Sequence, residues 1–286
     1  MPSSQSPIAV FDSGLGGLTV VRALRRLMPA EPIVYFGDTA RVPYGIKSGA
    51  TVRRFALELC RYLERFEPKL FVVACNTASA AALPGLEEEV SVPVLGVIDP
   101  GASAAVEQAR RSGRDNVLVL ATEGTVQSGA YVRRILELAP ELRVVQRACP
   151  LFVPMVEEGR ESTDPLVRMA VRQYVGPLLA GERAFGACVL GCTHYPLLRG
   201  AIETTLGGSV RLVCSADETA RRVQDLLDAR GMRARGLSDD GARLECLVSD
   251  NAERFSLVGG KFLGEALGTV RWVSPEEYAL PAVSVG

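Results

Sequence analysis

The sequence of 286 residues predicts an α/β fold in which mainly parallel sheets are flanked by helices. Short runs rich in valine, isoleucine and leucine alternate with longer segments of helical periodicity. Such continuously apolar strands are typical of parallel sheets covered on both faces. Because the pattern occurs twice, we expect two similar domains with the active site in the cleft between them. Residues 1–98 with 214–286 would form the first domain, and residues 99–213 the second.

Each predicted strand is a short apolar run bounded by polar or turn residues. In chain order the strands are IAVFD from Ile8, IVYFGD from Ile33, LFVVAC from Leu70, PVLGVI from Pro93, VLVLAT from Val117, RVVQRA from Arg143, ACVLGC from Ala187 and VRLVC from Val210. Helical segments separate them, as where Phe55, Leu59, Leu63 and Phe66 share one face. After Cys214 we expect a helix to about Arg230, a polar loop, and two strands, LECLVSD and VRWVS, that complete the first sheet.

The composition excludes several classes of function. Hydrophobic residues make up 48% of the chain, and 33 acidic residues nearly balance 32 basic ones, which argues against a nucleic-acid surface and favours a small-molecule partner. No apolar run approaches the roughly 18 residues that span a bilayer, and MPSSQSP is a polar lead rather than a signal peptide. We therefore expect a cytoplasmic protein without a membrane segment. Seven irregularly spaced cysteines predict reduced thiols rather than a disulfide framework.

Polar side chains follow several predicted strands directly, at the sheet edge where open parallel sheets bind ligands. Two of them are cysteines with matching surroundings, Cys75 in ACNT and Cys192 in GCTH. Either thiol alone could be an inert core residue. Together they predict an acid–base pair with one thiol on each wall of a cleft, and a position at a helix N-terminus would lower the thiol pKa from about 8.5. The residues at these strand ends are Asp12, Ser13, Cys75, Asn76, Thr122, Cys192, Thr193 and His194.

The glycine-rich segment after the first strand imitates a dinucleotide-binding turn, since Gly14-x-Gly16 is followed by a predicted helix, a strand and Asp38. Thr19 stands where that motif has its third glycine. A lone Gly-x-Gly is weak support for a nucleotide. We instead expect a tight turn whose backbone N–H groups hold a carboxylate.

Cys188-x3-Cys192-x-His194 raises the alternative of a zinc site, but this spacing matches no common ligand pattern, so we expect no metal. His194 is the only histidine of the chain. It could be a structural core residue, but its place beside a candidate acid–base thiol favours a functional role.

These motifs resemble those of the glutamate racemases, in the cofactor-independent aspartate/glutamate racemase superfamily. The resemblance covers nearly the whole chain and is carried by IAVFDSGLGGLTV, YFGDTARVPYG, VVACNTASA, VLATEGTVQSGAY, CPLFVPMVEEG and VLGCTHYPLL. Aspartate racemases resemble these proteins but have glutamate at the position of His194, so the histidine favours glutamate as substrate.

The resemblance implies interconversion of L- and D-glutamate without a cofactor, a supply of D-glutamate for peptidoglycan synthesis, and a homodimer. By resemblance, Cys75 and Cys192 are the acid–base catalysts, Asp12 supports Cys75, and Glu157 and His194 support Cys192. The choice of Glu157 over Glu158 rests on register. Aspartate racemase, a related isomerase or decarboxylase, and a two-lobed binding protein without chemistry are alternatives. The residues implied to bind the substrate are Asp12, Ser13, Tyr44, Gly45, Asn76, Thr77, Thr122, Thr125, Thr193 and His194.

Overall fold

A computed structural model of the chain describes residues 2–180, 184–236 and 243–279. Its strands are β1 (Ile8–Asp12), β2 (Ile33–Gly37), β3 (Leu70–Val73), β4 (Val94–Gly96), β5 (Asn116–Ala121), β6 (Arg143–Ala148), β7 (Phe185–Gly191), β8 (Arg211–Cys214), β9 (Leu244–Val248) and β10 (Val270–Trp272). Its α-helices are α1 (Leu18–Leu27), α2 (Gly49–Leu63), α3 (Asn76–Glu89), α4 (Ile98–Ser112), α5 (Glu123–Ser128), α6 (Ala130–Leu138), α7 (Phe152–Glu157), α8 (Pro165–Leu179), α9 (Arg199–Leu206), α10 (Ser215–Ala229), α11 (Ala252–Leu263) and α12 (Pro275–Tyr278).

The strands form two sheets in which every pairing is parallel. The larger sheet has the order β10-β9-β2-β1-β3-β4, and the smaller has the order β6-β5-β7-β8. The predicted α/β class is confirmed, and the two tail strands join the larger sheet as expected. Part of the predicted polar loop before β9, residues 237–242, lies outside the described residues. The domain boundaries stay a prediction, and the strands of the smaller sheet all begin within residues 99–213.

Helices cover both faces of the larger sheet. Successive side chains of a buried strand point to opposite faces, so each face presents apolar side chains that a helix must cover. In β1, Val10 belongs to a core cluster shared with α1, whereas Phe11 belongs to a second cluster shared with α2. The predicted face of α2 is buried at Phe55, Leu59 and Leu63, and burying each such side chain stabilises the fold by about 1.5–3 kcal/mol. The sheets are thus rigid supports for the loops that follow them.

The carboxyl ends of the central strands lead into the loops that carry the predicted motifs. In the larger sheet the neighbours β1 and β3 end just before Ser13 and Cys75, and in the smaller sheet β5 and β7 end just before Thr122 and Cys192. Cys75 is the N-cap of α3, and Thr122 is the N-cap of α5. Within the described ranges, no helix combines the length and apolar character that crossing a bilayer requires.

Candidate active site

A cavity of about 390 Å³ lies where the loops of the two sheets meet, and both predicted thiols line it. Two further walls come from the loop after β2 and from the segment around α7. From the first half, the predicted residues that line the cavity are Ser13, Tyr44, Gly45, Cys75, Asn76 and Thr77. From the second half they are Thr122, Glu157, Cys192, Thr193 and His194.

Cys75 lies at the start of α3, where its sulfur accepts a hydrogen bond from the backbone N–H of Ala78 at 3.5 Å. Its thiol also contacts the hydroxyl of Ser13 at 3.7 Å. Burial, reinforced by the nearby charge of Asp12, raises the pKa of Cys75 to about 12. The predicted lowering of the thiol pKa is therefore wrong for Cys75, because desolvation of the thiolate outweighs the helix N-terminus.

Asp12 does not line the cavity but lies one layer behind it, fully buried. One carboxylate oxygen accepts the N–H of Gly14 at 2.9 Å, and the other has no hydrogen-bond partner among the described residues. Burial raises the pKa of Asp12, although the charge of His194 opposes the shift. The glycine turn does hold a carboxylate through a backbone N–H group, but that carboxylate belongs to the protein itself. Binding of a ligand carboxylate at the turn stays a prediction.

On the opposite side, Cys192, His194 and Glu157 form a continuous polar chain. The sulfur of Cys192 lies 3.9 Å from Nδ1 of His194, and Nε2 of His194 lies 2.9 Å from Oε1 of Glu157. Burial opposes protonation of the imidazole, but its contacts with Cys192 and Glu157 outweigh burial and raise the pKa of His194 to about 10. Burial alone would raise the pKa of Glu157, but the hydrogen bond and charge of His194, with the charge of Arg254, outweigh burial and lower that pKa.

Glu158, the alternative carboxylate, does not contact the hydrogen-bonded group of Cys192, His194 and Glu157. Its side chain is exposed and accepts a hydrogen bond from Nε of Arg160 at 3.1 Å. The ring of His194 packs edge-to-face against Phe262 of α11, with ring centroids 5.1 Å apart at an interplanar angle of 81°. Glu157 is therefore the carboxylate that contacts the histidine.

Three threonine hydroxyls meet between α3 and α5 and link the two halves of the chain. Oγ1 of Thr77 lies 3.0 Å from Oγ1 of Thr122 and 3.2 Å from Oγ1 of Thr125. Thr125 is fully buried and does not line the cavity, so it supports the other two rather than facing a ligand. Asn76 also crosses between the halves, donating from its amide nitrogen to the hydroxyl of Tyr131 at 2.9 Å.

Thr19 is a functional candidate that the sequence analysis did not identify. Its hydroxyl lies 2.9 Å from the carbonyl oxygen of Gly16 and 3.1 Å from that of Thr193, so it joins the glycine turn to the loop after β7. A Cβ atom at Gly16 would lie only 2.1 Å from Oγ1 of Thr193. The turn is thus filled by protein, which leaves no room for a nucleotide phosphate there. The sequence does contain an indication of this role, since Thr19 stands where the nucleotide-binding motif has its third glycine.

The zinc alternative finds no support in the geometry of the described residues. Cys188 lies inside β7 and is buried in the hydrophobic core, away from the loop that carries Cys192. No group of three or more histidine, cysteine, aspartate or glutamate side chains in the described ranges has an arrangement that could hold a metal ion.

Two parallel sheets that each contribute one thiol to a shared cavity fit the class of isomerases that move a proton between two faces of a small substrate. Comparison with known proteins identifies the family. Residues 17–223 match the family model of the Asp/Glu/hydantoin racemases. The glutamate racemase of Geobacter metallireducens is 49% identical over 269 residues, which cover 94% of this chain and 97% of that protein.

Solved structures agree with this match. The glutamate racemase of Thermus thermophilus, in complex with β-chloro-D-alanine, has a TM-score of 0.85 at 46% identity and covers 96% of this chain and 100% of its own. The glutamate racemase of Francisella tularensis, in complex with D-glutamate, has a TM-score of 0.87 at 34% identity with the same coverage. The chain belongs to the Asp/Glu/hydantoin racemase family, among its glutamate racemases.

Proposed function

We propose that the chain racemises glutamate without a cofactor by moving the α-proton between Cys75 and Cys192. The observation that carries the proposal is that both thiols line one cavity, each following a central strand of its own sheet. Inversion at carbon needs a base on one face and an acid on the other, because a single base would return the proton to the face it came from. Two thiols, one ionised and one protonated, meet this need and exchange roles when the reaction reverses.

The surroundings of the thiols support different starting states. His194, whose pKa is raised to about 10, is held by Glu157 and lies with Nδ1 3.9 Å from the sulfur of Cys192, where it can exchange a proton with that thiol. Cys75, with its pKa raised to about 12, begins as the thiol. Cys192 would then remove the α-proton of L-glutamate while Cys75 delivers one to the other face. In the reverse direction Asp12, a stronger base because burial raises its pKa, would support deprotonation of Cys75.

The carbanion that forms next to the substrate carboxylate needs hydrogen-bond donors at fixed positions, since such donors stabilise developing charge most when they need not reorganise. Hydroxyl and amide groups of the right kind line the cavity. We propose that they bind the two carboxylates of glutamate, with Thr125 in a supporting position behind them. These groups belong to Ser13, Asn76, Thr77, Thr122 and Thr193.

The test replaces each thiol separately. Cys75→Ser and Cys192→Ser should each lower racemisation by several orders of magnitude, because serine keeps the size of the side chain but is far less acidic. Cys214→Ser is the matched control: Cys214 also ends a strand and precedes a helix, but it does not line the cavity. Full activity in either of the first two variants would remove that thiol from the catalytic pair.

Incubating the wild type with each enantiomer of glutamate and of aspartate in deuterated water, followed by proton NMR and circular dichroism, tests the substrate. Loss of the α-proton signal together with loss of optical activity is expected for glutamate. Racemisation of aspartate alone would point to the aspartate enzyme, and ligand-induced stabilisation without deuterium uptake would indicate a binding protein.

Membership of the glutamate racemases supports a proposal about the cellular setting and the oligomeric state. We propose that the enzyme works in the cytoplasm as a homodimer and that its D-glutamate is used for peptidoglycan synthesis. Analytical ultracentrifugation would test the dimer, since a monomer at micromolar concentration contradicts it.

A further inference from the structure

One wall of the cavity is a short irregular segment, Val42–Ile46, between β2 and α2. It contains a single 3-10 turn, Tyr44–Ile46, and the side chains of Val42 and Ile46 are 45% and 73% exposed. A segment with so little regular structure keeps a fixed position only if other parts of the chain hold it. The structure provides one contact across the cleft and one cluster behind the segment.

The contact across the cleft joins two glycines. A Cβ atom at Gly124, near the start of α5, would lie 2.7 Å from the carbonyl oxygen of Gly45, and a Cβ atom at Gly45 would lie 3.1 Å from Cβ of Thr122. The absence of side chains therefore lets the segment press directly on the other half of the chain. A small displacement of the segment would open the cavity at this point.

Behind the segment, Asp38 is the centre of a buried polar cluster. Its carboxylate accepts hydrogen bonds from Nε of Arg41 at 2.6 Å, from Oγ of Ser249 at 2.9 Å and from the hydroxyl of Tyr44. The Tyr44 hydroxyl is thus directed away from the substrate, although the residue lines the cavity. Two of these partners, Arg41 and Tyr44, flank the Val42–Pro43 pair and fix its ends.

Arg41 connects this cluster to helices α2 and α12. It also donates to the buried carboxylate of Glu58 in α2, and its guanidinium carbon lies 4.0 Å from the ring centroid of Phe55 and 4.9 Å from that of Tyr278. A planar guanidinium can serve two carboxylates and stack on aromatic rings at once, whereas an ammonium group cannot.

We propose that Arg41 is a positioning residue of the racemase: acting through Asp38 and Tyr44, it holds the Val42–Ile46 wall against the second half of the chain and so keeps the cavity closed around glutamate. This inference rests on the proposed function, because it concerns how firmly the cavity holds that substrate. The wall carries no proton-transfer group. Its displacement weakens binding of the ground state and the transition state alike, which raises KM and leaves kcat nearly unchanged.

The experiment compares Arg41→Met and Arg41→Lys with a matched control, Arg54→Met. Arg54 approaches the same carboxylate, Glu58, at 3.7 Å and the same Phe55 ring at 5.4 Å, but its side chain is 62% exposed. Steady-state kinetics with both enantiomers, calorimetric binding of D-glutamate, and thermal melts are recorded for each protein. Arg41→Met should raise KM and the dissociation constant by about ten- to hundredfold, with kcat within about threefold of wild type. Arg41→Lys should lie between, and Arg54→Met should match the wild type.

A second variant, Tyr44→Phe, removes only the hydroxyl that reaches Asp38 and should raise KM in the same direction, and it decides the matter if Arg41→Met does not fold. A folded Arg41→Met with wild-type KM, or with a lowered kcat at unchanged KM, would overturn the proposal, as would an equal rise of KM in Arg54→Met. A wild type that neither binds nor racemises glutamate would overturn the proposed function instead, and this inference with it.

Discussion

Replacing Thr19 with valine removes one hydroxyl from the junction of the two sheets and keeps the branched shape of the side chain. The hydroxyl is buried and contacts the carbonyl oxygens of Gly16 and Thr193 at 2.9 and 3.1 Å. Without it the Thr193 carbonyl loses its partner across the junction, and leaving a buried acceptor unpaired costs about 1–3 kcal/mol. At about 2–4 °C per kcal/mol for a large domain, the melting temperature should fall by roughly 2–12 °C.

Urea unfolding followed by circular dichroism measures the change, and racemase assays of the folded variant show whether Cys192 and His194, the neighbours of Thr193, are displaced. Thr204→Val is the control, because the Thr204 hydroxyl bonds the Gly200 carbonyl at 2.7 Å on an exposed helix surface, where water can replace it. That change should stay within about 0.5 kcal/mol. Equal urea midpoints for Thr19→Val and the wild type would refute the reasoning.

Three further predictions concern the same junction and its chemistry. Gly16→Ala places a Cβ atom 2.1 Å from Oγ1 of Thr193 and 2.6 Å from Nδ1 of His194, so racemisation should fall at least about a hundredfold. The control Gly176→Ala should remain fully active, because no atom lies within 4 Å of the new Cβ. The pKa of Glu157 is lowered from 4.5, and that of His194 is raised from 6.5 to about 10. The stabilisation that their ion pair gives the folded state is therefore lost as the pH falls below 4.5, and it is lost again as the pH rises from 6.5 toward 10. The urea midpoint of the wild type should therefore exceed that of Glu157→Gln most between pH 4.5 and 6.5, and a difference that does not vary with pH would contradict the assignment. Racemisation should persist in excess EDTA without pyridoxal phosphate, and loss of activity on chelation would revive the metal hypothesis.

The strands and the residues at their ends could be predicted from the sequence because both depend on local pattern. The apolar run before Cys75 and the one before Cys192 each predict a buried strand from local pattern, and the parallel arrangement places both strand ends at a sheet edge. The motifs then identify the family. The two tail strands complete the larger sheet as expected, with β9 beside β2 and β10 at the edge, although the sequence alone could not assign them.

Features that depend on distant parts of the chain could not be predicted. The Asp38 cluster draws Glu58 from α2 and Ser249 from the end of β9, and no spacing in the sequence signals that meeting. The direction of the Cys75 pKa was predicted wrongly because a helix N-terminus is visible in sequence, whereas full desolvation and the charge of Asp12 are not. The resemblance implies that Thr125 binds the substrate, but the turn of α5 directs its hydroxyl toward Thr77 and Thr122, behind the cavity wall.

The two sulfurs have unlike neighbours, a lone carboxylate on one side and an imidazole–carboxylate couple on the other. Mirror-image substrates in free solution have the same energy, so the equilibrium constant is unity and kcat/KM must be equal in the two directions. The unequal surroundings therefore cannot favour either product at equilibrium. They can only change KM and kcat together. The enantiomer with the lower KM must also have the lower kcat, by the same factor.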